Sequence, residues 1–153
     1  MKRRKNLYPK IENIDVLFSM YFEEIQKNTK NKEKLEKYEQ YLLLNIFQLY
    51  DQICQKKVTF DPYIIFMIKE PKKRLIMSQS IKDKLLNHVV ARYFLLETLE
   101  KSLIDANVAT LKGKGTSYGQ TLLKKYIHEI KKERKEVYYL KCDITKYFYS
   151  IDH

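Results

Sequence analysis

The chain has 153 residues and a formal net charge of +11, with 32% charged and 44% hydrophobic residues. That is enough apolar material for about one packed domain and too much for a disordered tail. No apolar run approaches the roughly 20 residues that span a bilayer, and the excess of Lys and Arg favours a polyanionic partner.

The opening MKRRKNLYPK is basic, but no apolar segment follows it, so a secretory leader is not expected. Two cysteines, Cys54 and Cys142, make no disulfide framework, and the expectation is a reduced, cytoplasmic protein. Residues 11–27 place Ile11, Ile14, Leu17, Phe18, Tyr21 and Ile25 at helical spacing. NTKNKEK (28–34) reads as a connector. A second helix carries Tyr38, Leu42, Ile46, Leu49 and Ile53 on one stripe. YIIFMI (63–68) and RLIM (74–77) flank KEPKK, where Pro71 presets a turn, so 63–77 is a predicted β-hairpin. Residues 80–100 return to helix through Ile81, Leu85, Val89, Tyr93 and Leu96. LKGKGTSYG (111–119) holds all three glycines, a helix with Leu122, Tyr126 and Ile130 in step follows, and VYYLKCD (137–143) reads as a strand. The expected class is α+β, in three stretches: 1–59, 60–136 and 137–153.

The chemistry-bearing residues gather late in the chain. Asp143 ends the predicted strand, where a carboxylate is either a cap for the next turn or a metal ligand. The run DITKYFYSIDH (143–153) closely resembles the first palm motif of reverse transcriptases, above all the bacterial kinds of group II introns, retrons and diversity-generating retroelements. Leu140, Lys141, Asp143, Ile144, Lys146, Tyr147, Phe148, Ile151, Asp152 and His153 fit its pattern. Upstream, EPKKRLI (70–76) resembles the family's fingers-hairpin motif. SIKDKLLNHVV (80–90) resembles its next segment, with Asp83 and His88 matching in kind, and LKGKGT (111–116) matches its Gly-rich loop. The likeness covers about residues 60–153. It departs at NVAT (107–110), where the diversity-generating type has Ser-Tyr-Ala-Cys, and this leaves the subfamily open.

The resemblance implies an N-terminal helical region (1–59), fingers (60–136) and the start of a palm (137–153). It implies RNA-directed DNA synthesis, in which a primer 3′-hydroxyl attacks the α-phosphate of a dNTP with two Mg²⁺ ions in the complete enzyme. Asp143 and the Ile144 carbonyl would be metal ligands, with Asp143 the catalytic residue. Phe148 would pack under the incoming sugar and exclude a 2′-hydroxyl; plain core packing is the alternative. Lys72 and Arg74 would hold the triphosphate, with Ile144 and Phe148 completing the dNTP site. Between Lys69 and Arg92 seven basic residues face two acidic ones, which suits a nucleic-acid channel or a solvated surface. Lys73, Lys82 and Lys84 in that run, with Lys112 and Lys114 of the Gly-rich loop, are the candidate contacts to RNA template and DNA primer. The Gly113–Gly115 turn either approaches backbone phosphate or simply enters a helix. It is not a P-loop, because Gly115 rather than Ser or Thr follows Lys114.

No Asp-Asp pair occurs in the sequence, so the family's Tyr-x-Asp-Asp carboxylates lie outside it. The expectation is an N-terminal portion, inactive alone, completed by a palm and thumb encoded downstream, with no membrane partner. Two other readings stand beside it: a non-catalytic basic RNA- or DNA-binding module, and a helical interaction protein that uses residues 11–55 as a partner surface.

Overall fold

Asn13 accepts a hydrogen bond from the Asp15 amide (2.8 Å) and so caps α1 (Ile14–Met20). The helix runs on as a π-helical stretch, Tyr21–Ile25, and a last turn, Gln26–Asn28. Asn31 accepts from the Lys34 amide (2.9 Å) and starts α2 (Lys32–Glu39), so the predicted connector shortens to residues 29–31. A break at Gln40 and Tyr41 separates it from α3 (Leu42–Cys54). The computed structural model describes residues 5–109, 111–134, 136–145 and 147–152, with backbone alone at Phe148 and Tyr149.

The predicted hairpin forms as β1 (Ile64–Ile68) paired antiparallel with β2 (Arg74–Ser78). Ile64 faces Ser78, Phe66 faces Ile76 and Ile68 faces Arg74, so these six share one side of the ribbon, while Ile65, Met67, Leu75 and Met77 take the other. Apolar side chains are exposed on both sides. Ser80 then accepts from the Asp83 amide (3.1 Å) and caps α4 (Ile81–Val90). This helix passes into a π-helical stretch, Ala91–Leu96, and ends through Glu97–Leu99 and a 3₁₀ turn at Glu100–Ser102. Arg92 pairs with Glu23 (2.7 Å) and so ties the two π-helical stretches together.

Leu17, Met20, Tyr21 and Ile25 meet Ile46, Leu49 and Ile53 of α3 and Ile81, Leu85, Leu86 and Val89 of α4 in one buried cluster. Helices from both sides of residue 60 therefore share a core. Each fully buried aliphatic side chain contributes about 1.5–3 kcal/mol. Tyr21 is wholly buried and donates its hydroxyl to Glu39 (2.9 Å), which also accepts from Gln26 (2.9 Å).

The chain divides into two compact units, 1–102 and 103–153. In the second, Gly115 precedes α5 (Thr116–Glu133) and Tyr147–Ser150 form the short α6. At Gly119 a Cβ would lie 3.3 Å from Val108, so a glycine lets these two segments approach. The α+β class stands, with about 57% helix and 7% strand. The strand expected over 137–143 does not form: residues 136–145 take no regular secondary structure. Tyr138, Tyr139 and Leu140 are about nine-tenths exposed. A strand needs a neighbour for its N–H and C=O groups, and among the described residues none pairs with this segment.

Candidate nucleic-acid interface

β-Branched residues build β1, Pro71 turns the chain, and the turn lifts a cluster of cations to the end of the ribbon. Lys72, Lys73 and Arg74 are all exposed there, beside Lys69. Only Arg74 belongs to a strand. Period-two alternation therefore sets the side of Arg74, which it shares with Phe66, and does not extend to Lys72 and Lys73. Among the described residues no ion pair engages these cations, which leaves a fork and point charges open to phosphate.

At the open end of the hairpin the charges are internal. Asp83 is 2% exposed. Its Oδ2 accepts from the Asp61 amide (3.0 Å), and its Oδ1 makes no hydrogen bond and faces Lys82 Nζ at 3.9 Å. Lys82 Nζ pairs with Asp61 (2.7 Å) and donates to the Thr59 carbonyl (2.9 Å). Hydrogen bonds from Lys82 and Ser80 lower the pKa of the Asp61 carboxyl. Lys82 is thus engaged in holding residues 59–61 to the start of α4. Lys84, two residues on, is half-buried beside Lys34 and the ribbon.

In the second unit Lys112 is exposed. Lys114 donates to the Asp105 carbonyl (3.1 Å) and lies 5.6 Å from the Tyr118 ring centre. Gly113 has φ +78°, a left-handed turn that glycine adopts without strain. Asp143 and Ile144 are both exposed in the irregular segment 136–145. Phe148 lies in α6; its side chain, Lys146 and His153 are outside the described residues.

Asp143 carries a carboxylate, a hard-oxygen group. Among the described residues no group of three or more His, Cys, Asp or Glu side chains converges. No described helix is long and apolar enough to cross a membrane. Sequence reasoning missed Asp61, Lys34 and Lys30. The first two act across 21 or more residues, beyond the reach of local pattern, although the Ser80-x-x-Asp83 capping signature marks where Asp61 docks. No family model and no curated protein matches the chain.

Proposed function

We propose that this chain is the fingers and first palm segment of an RNA-directed DNA polymerase. The observation that carries the reading is the hairpin: EPKKRLI bends into a turn that presents Lys72, Lys73 and Arg74 to solvent on a ribbon of fixed register. Such a tip suits a triphosphate or a nucleic-acid backbone. The DITKYFYSIDH run supports the same reading by resemblance, with Asp143 as one Mg²⁺ ligand, Ile144 beside it and Phe148 as the 2′-hydroxyl filter. The remaining carboxylates, RNA template, DNA primer and dNTP belong to the completed enzyme.

The test is primer extension on an RNA template by a polypeptide in which this chain is joined to palm and thumb. Asp143→Asn is expected to abolish synthesis, and Arg74→Ala to raise KM for dNTP about tenfold, one charge-assisted contact. Full synthesis by Asp143→Asn removes Asp143 from the metal site. Salt-sensitive RNA binding with no extension leaves a binding module instead.

A further inference from the structure

Beneath the open end of the hairpin lies a cavity of about 530 Å³, between the ribbon and the start of α2. Its floor carries Lys30, Lys34 and Lys84, and its roof carries Ile64, Phe66 and Ser78. No carboxylate lines it, and among the described residues none forms an ion pair with any of the three lysines. Lys34 is held in place, since its ammonium donates to the Gln79 carbonyl (2.6 Å). Burial, and then the charge of Lys84, lower the pKa of Lys34. Two ammonium groups that repel one another across an opening without counter-charge are relieved by an anion, and best by a dianion. Phe66 is 46% exposed and Ile64 56%, so an apolar or planar body can lie against them.

We propose that this cavity binds a nucleotide carrying a terminal phosphate monoester, with the phosphate on Lys34 and Lys84 and the base against Phe66. A monoester carries about −1.5 to −2 charge at pH 7, whereas an internal phosphodiester carries one. The open end of the cavity is set apart from the hairpin tip, since Ile64 and Ile68 are four residues apart, about 13 Å along a strand, while Phe66 lies two residues, about 7 Å, from the Ile68–Arg74 pair on the same side. It rests on the first unit's geometry and does not require the polymerase reading.

The terminal nucleotide has two sources, a free mononucleotide or the 5′ end of a strand, and the experiment separates them. The intact chain is titrated with adenosine 5′-monophosphate, with adenosine, and with a short oligoadenylate bearing either a 5′-phosphate or a 5′-hydroxyl. Binding is read by calorimetry or by anisotropy of a 3′ label. The 5′-phosphate form is expected to bind about tenfold more tightly than the 5′-hydroxyl form. Lys84→Met is expected to erase that preference, and Phe66→Ala to weaken both forms. Lys72→Ala with Arg74→Ala is expected to weaken both forms while leaving the preference intact. Adenosine monophosphate binding as tightly as the phosphorylated strand assigns the site to free nucleotide. Binding of the strand alone assigns it to a 5′ end. Equal affinity for the phosphorylated and hydroxyl strands overturns the proposal. So does a preference that survives in a Lys84→Met protein whose circular dichroism and melting match the parent.

Discussion

Replacing Lys82 by Met keeps most of the side chain's length and removes its charge. The ammonium sits 2.7 Å from Asp61 Oδ1, 2.9 Å from the Thr59 carbonyl and 3.9 Å from Asp83 Oδ1, with the Lys82 side chain 18% exposed and that of Asp83 3%. Without it, Asp83 and Asp61 keep two carboxylates close together with no cation. A hydrogen bond to a charged group contributes about 1.5–3 kcal/mol, and breaking a fully buried pair costs about 3–5 kcal/mol. Asp61 is 42% exposed at its side chain, so solvent screens part of this, and a loss of about 2 kcal/mol is expected. For a unit of this size that lowers Tm by roughly 8–16 °C. The assay is thermal melting by circular dichroism of Lys82→Met beside Lys72→Met, an exposed control expected to stay within about 0.5 kcal/mol of the parent. A double-mutant cycle with Asp61→Asn then isolates the pair. Melting of Lys82→Met within about 2 °C of the control would refute the network as the anchor of residues 59–61.

Leu85 is fully buried, so Leu85→Ala is expected to cost about 3 kcal/mol in denaturant unfolding; a cost under about 1 kcal/mol would contradict the packing of α4. Asp61 and Glu39 have folded pKa values below their ordinary ones, Asp61 through hydrogen bonds from Lys82 and Ser80, Glu39 through those from Gln26 and Tyr21. Their stabilisation is present above about pH 4 and lost as pH falls through the folded values. The urea midpoint should therefore fall below about pH 4, and less steeply in Asp61→Asn; identical profiles would uncouple Asp61 from folding. Alanine at Lys72, Lys73 and Arg74 together should flatten the log–log salt dependence of single-stranded RNA binding by about 0.7 for each phosphate that these side chains neutralise, and an unchanged slope would exclude the tip.

Much of this fold is written in local pattern. The hairpin strands begin and end within one residue of the expectation, because β-branched residues and Pro71 specify both strand and turn without help. Ile46, Leu49, Ile53, Ile81, Leu85 and Val89 are buried as their spacing requires. What stayed hidden is non-local. The helix over 80–100 forms, but its change of pitch at Ala91 has no counterpart in the apolar spacing. The segment 137–143 has strand-forming residues but meets no partner strand among the described residues, and a partner is the other half of what makes a strand. Among the site residues, the exposure of Lys72, Lys73 and Arg74 follows from the turn. The engagement of Lys82 depends on Asp61, and the grouping of Lys34 with Lys84 on a chain reversal that no motif announces.

The ribbon is a lever whose fulcrum is the Lys82–Asp61–Asp83 tie at its open end. The strands alone span about 13 Å from Ile64 to Ile68, so a tilt of about ten degrees at their open end carries Arg74 through about 2 Å. Displacements of about 1 Å at a reacting centre can change rates a hundredfold. Substitutions at the fulcrum should therefore shift Lys72, Lys73 and Arg74 without touching them, and a survey confined to the tip would overlook where the aim of the hairpin is set.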